Sequence, residues 1–236
     1  MTNYVVAPPP VAALPVVGSS ELFPLRRVYC VGRNYAAHAR EMGFDPTRDP
    51  PFFFAKPADS VIPVQHGETR DIRYPSMSTN YQFEVELVAA IGKPAYKVST
   101  EQALEIIFGY AVGLDMTRRD LQLALRDKGR PWELGKAFDE SAPCGPIHPV
   151  ALHGHPKSGA IWLKVDDTDR QRSELAHLIW SVAEIVSNLS QYFRLVPGDV
   201  VFTGTPDGVG PVLPGQKINA GIDGLGSISI CVIADE

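Results

Sequence analysis

The chain has 236 residues, 44% of them apolar, enough for a packed core in one large domain or two small ones. Its formal charge of -5 comes from acids and bases spread along the whole length, which excludes the basic stripe that nucleic-acid binding needs. The three cysteines, Cys30, Cys144 and Cys231, lack CxxC spacing and leave one unpaired in any intramolecular scheme, which fits reduced thiols in a cytoplasm.

Residues 1–24 form a proline-rich arm. The apolar run Val5 to Val17 is broken by Pro8, Pro9, Pro10 and Pro15 and has no basic residue before it, so it does not have the form of an export signal. No stretch reaches the roughly 20 apolar residues needed to span a bilayer. From residue 25 to 236 no linker or repeat divides the chain, and a single domain is expected.

Arg27 to Val31 has the pattern of a short apolar strand ending at Gly32, and Tyr35 to Met42 that of a helix stopping at Gly43, together a hinged flap. Asp45 to Ser78 is rich in turn formers, with strands expected only at Phe52–Phe54 and Val61–Ile62. Gln82 to Ile91 is the strongest strand pattern. Glu101 to Ile107 is expected as a helix leading into a buried strand, Gly109 to Leu114, and a longer helix is expected from Thr117 to Arg126. Strands at Ile161–Val165, Val200–Phe202 and Ser227–Ile233 and a helix at Ile179–Tyr192 complete the set. Short strands punctuated by glycine and proline, without regular βαβ alternation, define a β-rich α+β fold.

Strand alternation puts Phe83, Val85 and Leu87 on one face and Glu84 and Glu86 on the other, roughly 6.5 to 7 Å apart at their Cα atoms. The strand continues into Val88-Ala89-Ala90-Ile91, apolar on both faces, so these glutamates face burial, which is costly for like charges without a cation or proton. Asp115 ends the next strand, before a helix that Thr117 or Asp120 could cap. Three carboxylates without a neighbouring histidine or cysteine suit a hard ion such as Mg2+, Mn2+ or Ca2+ better than zinc. The alternative is a pair of solvent-facing glutamates on an edge strand.

Arg119 and Gln122 share one face of the following helix and Leu121 and Leu125 another. Lys136 follows a turn-rich loop, Gly129 to Gly135, where an ammonium beside a metal would suit an enolate or a substrate carboxylate. His38 and Glu41, three apart on the short helix, share a face. Glu41 could fix the imidazole tautomer and let His38 act as a general base. After Pro197-Gly198-Asp199, the loop Thr203-Gly204-Thr205-Pro206 offers amides and hydroxyls to a carboxylate but matches no nucleotide-binding pattern. Taken singly, each of these features is also explained by a solvated helix face, a surface lysine, an exposed helical pair or a demanding turn.

In order, Gly32-Arg33-Asn34-Tyr35 with His38 and Glu41, Phe83-Glu84-Val85-Glu86, Gly113-Leu114-Asp115 with Arg119 and Gln122, Pro131-Trp132 with Lys136, and Pro197-Gly198-Asp199 leading to Thr203-Gly204-Thr205-Pro206 resemble the fumarylacetoacetate hydrolase family, in its small acylpyruvate hydrolase form, from about Val28 to the C-terminus. The resemblance implies a mixed β-roll with flanking helices, usually dimeric. It also implies Glu84, Glu86 and Asp115 as ligands of Mg2+ or Mn2+, His38 and Glu41 as a water-activating dyad, Lys136 as a substrate-contacting lysine, and Arg119, Gln122 and Thr205 as substrate-positioning residues. The short arm favours the smaller members, and with them cleavage of the C3–C4 bond of an acylpyruvate such as fumarylpyruvate, a step of aromatic catabolism through gentisate. A tautomerase or decarboxylase acting on oxaloacetate would use the same chemistry. A noncatalytic β domain holding Ca2+ has no use for the His38–Glu41 pair. For the distal carboxylate of a fumaryl group, Arg33 and Arg130 are within reach, with Arg130 slightly favoured.

Overall fold

The computed structural model describes residues 3–43 and 49–235; residues 45–48 of the turn-rich segment lie outside them. The framework is a mixed eight-stranded sheet packed against a five-stranded one. The large sheet runs in the order Phe52–Lys56, Arg27–Gly32, Asp199–Phe202, Val85–Ile91, Ile107–Leu114, Ala142–Cys144, Val61–Pro63, and the short strand His148–Pro149 also pairs with Ile107–Leu114. Within it, Asp199–Phe202 runs parallel to Arg27–Gly32 and antiparallel to Val85–Ile91. The smaller sheet is ordered Thr168–Glu174, Ala160–Val165, Lys217–Ile222, Gly226–Ile233, Thr69–Arg73. This is the β-rich α+β roll expected, with helices at its margins.

Why the central strand is apolar on both sides is now plain. Leu87, Ala89 and Ile91 face the main core, with Ile161, Leu163, Ile218, Ile228 and the helix residues Ile185, Val186 and Leu189. Val88 and Ala90 face a second core with Val28, Cys30, Ala111, Val200 and Phe202, closed by Leu14 and Phe23. Leu14 and Phe23 belong to an antiparallel hairpin, Ala13–Pro15 with Leu22–Pro24. The later half of the proline-rich arm thus covers the outer face of the large sheet, while Val5, Val6 and Val11 are exposed.

Several elements differ from the sequence pattern. The strand expected over Gln82–Ile91 is two strands, Tyr81–Phe83 in a small three-stranded sheet and Val85–Ile91 in the large one, and Glu84 sits at the switch between them. The helix expected from Thr117 starts at Arg119, because Thr117–Arg118 pairs with Tyr81–Gln82. Neither proposed residue caps it. Thr117 donates to the Asp115 carbonyl, and Asp120 accepts from Ser78, Thr79 and Leu121. The last long helix begins at Val182, where Ser181 and Glu184 form a capping box. Strands at Thr69–Arg73, Thr168–Glu174 and Lys217–Ile222 escaped the sequence pattern. Two of these, TRDIR and TDRQRSE, are polar edge strands, recognisable only by their partners.

Because Leu14 is fully buried in the second core, Leu14→Ala should lower the stability by about 2–5 kcal/mol, whereas Val6→Ala, 76% exposed, should change it by less than about 0.5 kcal/mol. Urea unfolding followed by fluorescence measures both. Equal and small effects would mean the hairpin is not docked as described.

Candidate active site

Glu84, Glu86 and Asp115 are at most 5% exposed, and one carboxylate oxygen from each lies within 4.8 Å of the others. Register explains the convergence. Glu86 pairs with Gly113 and Val85 with Leu114 across the antiparallel ladder, so Asp115 follows directly opposite Glu84, and the Asp115 N–H donates to the Glu84 carbonyl at 2.8 Å. Gly113 is required there, since a Cβ would come within 2.6 Å of Val88 and 2.7 Å of Phe202.

The three carboxylates are compensated unequally. Burial opposes ionisation of Glu84, but Lys136 Nζ at 2.8 Å, then Arg119 at its other oxygen, hold the carboxyl well below the usual range. Asp115 faces two ammonium groups, Lys136 at 2.7 Å on Oδ2 and Lys56 at 2.9 Å on Oδ1. Glu86 accepts a 2.7 Å hydrogen bond from the Gly204 N–H. Burial, then the charges of Asp115 and Glu84, push its carboxyl well above the usual range. The cluster therefore has the composition of a hard-cation site. It offers three oxygen donors, and Asp115 Oδ1, although beside Lys56, has no hydrogen bond of good geometry among the described residues.

Lys136 does not stand at the cavity edge as a surface lysine. It is 3% exposed, and its three N–H groups go to Glu84, Asp115 and the Thr117 hydroxyl. Burial works against its charge, but Asp115 and Glu84 raise its pKa above the usual lysine value. Arg119 donates to Gln82, Gln122 and Glu84, so the polar face of its helix is the buried one.

The dyad sits on the helix Ala36–Glu41. His38 Nδ1 and Glu41 Oε2 are 3.0 Å apart, and Glu41 Oε1 accepts from the Gly208 N–H at 3.0 Å. Burial opposes the Glu41 charge, but the His38 and Gly208 hydrogen bonds outweigh it and lower its pKa. An ionised Glu41 takes the Nδ1 proton as its donor, which leaves Nε2 as the basic atom of His38. The 203–208 loop serves both ends of the site, through Gly204 to Glu86 and through Gly208 to Glu41. Gly204 needs its positive φ of 101°, and a Cβ there would meet Asn34 at 2.6 Å.

One cavity is lined by His38, Glu84, Glu86, Asp115, Arg119, Gln122, Lys136 and Thr205. Phe52, Phe54 and Trp132 form its aromatic wall, with Trp132 edge-on to Phe52 at 5.4 Å. Arg33 and Arg126 also line it. Arg130 lies instead on the adjoining outer groove, together with Arg33 and Pro131. Of the residues singled out from sequence, Arg130 and Glu41 do not line the inner cavity; Glu41 reaches it only through its contact with His38.

Three contributors were missed. Lys56, fully buried, contacts Asp115 and donates to the carbonyls of Met116, Lys136 and Ser141. Its signal was in the alternation: Lys56 shares a strand face with Phe52 and Phe54. Asn34 bonds Thr203 and Trp180, fastening the segment before the His38 helix to the loop. Gln171 joins Val85 N–H to the Thr205 hydroxyl from a strand with no apolar pattern.

A family model described as the C-terminal domain of fumarylacetoacetate hydrolase matches residues 27–233, and the chain belongs to that family. It is 48% identical over 182 residues to a fumarylpyruvate hydrolase of a Ralstonia species, covering 77% of this chain and 92% of the relative. To a mitochondrial oxaloacetate tautomerase of Arabidopsis thaliana it is 42% identical, over 87% and 90% of the two chains. Among solved structures, fumarylpyruvate hydrolase from Pseudomonas aeruginosa in complex with Mn2+ and pyruvate matches with a TM-score of 0.97 at 60% identity, covering 99% of this chain and all of the other.

Glu86 must lose its proton for a cation to bind, so ion affinity should fall as the pH is lowered through its raised pKa. In the pH range where Glu86 is still partly protonated, Mg2+ or Mn2+ binding should be accompanied by proton release. Calorimetry in buffers of different ionisation enthalpy reads this directly. Binding with no buffer dependence would mean that Glu86 is already ionised.

Proposed function

We propose that the protein hydrolyses the C3–C4 bond of fumarylpyruvate, giving fumarate and pyruvate, with Mg2+ or Mn2+ held by Glu84, Glu86 and Asp115. The observation that carries this is the single cavity joining three buried carboxylates to a histidine whose Nε2 is left basic by Glu41. Likeness to fumarylpyruvate hydrolases, one of them solved with Mn2+ and pyruvate, supports the substrate and the ion.

A cation held by Glu84, Glu86 and Asp115 would supply Lewis-acid polarisation of the carboxylate and 2-oxo end of the substrate. His38 takes a proton from water, and the resulting hydroxide adds to the C4 carbonyl. The C3–C4 bond then breaks with its electron pair passing into the pyruvate enolate, and C3 is protonated to complete pyruvate. Lys136 donates its three N–H groups to Glu84, Asp115 and Thr117. An ion held by the same oxygens would leave Lys136 at least one N–H for the developing enolate oxygen. Arg119 and Gln122 orient the substrate carboxylate, with the Thr205 hydroxyl opposite. Arg33 lines the cavity and lies over Phe52 at 4.8 Å, so it is better placed than Arg130 for the distal carboxylate of a fumaryl group.

A second reading, oxaloacetate tautomerisation or decarboxylation, has the likeness to mitochondrial tautomerases behind it. Both reactions need the ion and an enolate, and only hydrolysis needs an activated water. We place the reaction in aromatic catabolism through gentisate. We further propose a cytoplasmic homodimer in which residues 25–236 form one catalytic domain. The absence of any disulfide among Cys30, Cys144 and Cys231 is consistent with a reducing compartment. No helix among the described residues is long and apolar enough to cross a membrane.

A panel of fumarylpyruvate, acetylpyruvate and oxaloacetate tests the assignment. Fumarylpyruvate hydrolysis should vanish with EDTA and return with Mg2+ or Mn2+, and His38→Ala should abolish it while leaving the ion bound. Arg33→Ala should raise KM for fumarylpyruvate about tenfold or more and spare acetylpyruvate, as expected for one charge-assisted hydrogen bond. Turnover of oxaloacetate alone, unaffected in the His38 variant, would establish the tautomerase reading instead.

A further inference from the structure

A second cluster of titratable side chains lies away from the cavity. His148 pairs in the large sheet with Tyr110, five residues along the strand from Asp115, or roughly 16 Å at the rise of a β-strand. Its Nε2 lies 3.2 Å from Nε2 of His66. His66 belongs to the loop between the strands Val61–Pro63 and Thr69–Arg73, one in each of the two sheets.

The tautomer of His66 is set by its surroundings. Nδ1 is 3.0 Å from the Ser227 carbonyl oxygen, which can only accept, so Nδ1 carries the proton and Nε2 presents a lone pair toward His148. A carbonyl on the far nitrogen is the usual outer partner of a metal-bound imidazole. The ring is also held in place: Gly226, at φ 73°, leaves the space it occupies, and a Cβ there would come within 2.8 Å of its Cε1. His148 is 7% exposed, and its Nδ1 has no hydrogen-bond partner among the described residues. Two arrangements satisfy the facing nitrogens. His148 can donate its Nε2 proton to His66, leaving a buried Nδ1 lone pair unmatched. Alternatively, the proton sits on Nδ1 and both Nε2 lone pairs meet a cation.

Two nitrogens bound at 2.0–2.1 Å with tetrahedral angles stand about 3.3 Å apart, close to the separation found here. A third imidazole, His153 at the end of the helix Val150–His153, has its ring centroid 4.8 Å from that of His148 and is exposed. We propose that His66 and His148, through their facing Nε2 atoms, form a two-histidine site for a borderline transition ion such as Zn2+, Co2+ or Ni2+, completed by water and distinct from the oxygen-only carboxylate centre. Imidazole donors select such ions over Mg2+. Bound there, the ion ties the loop between the sheets to the edge of the large sheet, and so acts as a clip on the fold.

Cobalt(II) is the probe, because tetrahedral nitrogen ligation gives a strong visible absorption and six-coordinate oxygen ligation a weak one. With Mg2+ saturating the carboxylates, the wild type should develop the strong band at one equivalent of Co2+ per chain, and Zn2+ should raise its unfolding midpoint by several degrees. Glu86→Gln should keep the band. His66→Ala should lose the band and the zinc-induced shift measured from its own metal-free midpoint. A wild type without the band, or a His66→Ala variant that retains band and shift, overturns the proposal and leaves a neutral histidine pair joined by a hydrogen bond.

Discussion

Three carboxylates buried within 4.8 Å of one another cannot all be ionised without positive charge beside them, and the architecture around the cavity answers that constraint. Lys136 and Arg119 bracket Glu84, and Lys56 and Lys136 bracket Asp115. Glu86 is left with a single backbone N–H and the neighbouring negative charges. The unevenness matters. A site fully neutralised by lysines would have no attraction for a divalent ion, whereas this one retains an unmatched carboxyl at its centre.

The same constraint shapes the backbone. Glu84 lies where the chain leaves the small sheet for the large one, so neither sheet's alternation fixes its direction, and Arg119 and Lys136 do so instead. Lys56 holds the Lys136 carbonyl as well as Asp115, which ties the position of one cation to the position of the other. The 203–208 loop reaches Glu86 through Gly204 and Glu41 through Gly208 and is pinned to the segment before the His38 helix by Asn34. His38, through Glu41, and the carboxylate cluster, through Glu86, are therefore referenced to one turn, and a shift in that turn would misplace both. Placement of that quality is what water activation next to a polarised carbonyl requires.

Much of this was legible in the sequence because its signals were local. The i,i+3 spacing of His38 and Glu41 survives folding unchanged, and the apolar run Val85–Ile91 announces a strand buried on both faces. What could not be read depended on partners distant in sequence. Gln171 comes from a polar edge strand, and Asn34 reaches residues 146 and 169 positions away. The expected Glu84–Glu86 alternation gave the right pair for an incomplete reason, since one strand is really two. Arg119 and Gln122 were placed on one helix face, but that this face is the buried one follows only from the carboxylates it meets. Lys136 was expected to serve substrate, and its three N–H groups are given to Glu84, Asp115 and the Thr117 hydroxyl.

Lys136 and a divalent ion would compete for the same oxygens of Glu84 and Asp115. Diffraction from crystals soaked in Mn2+, with anomalous data collected at the manganese edge, tests this most directly. The expected map has one strong peak between Glu84, Glu86 and Asp115, with Lys136 Nζ withdrawn from Glu84 or Asp115 and turned toward the cavity. A peak elsewhere, or a manganese ion among the carboxylates with all three Lys136 hydrogen bonds intact, would contradict it.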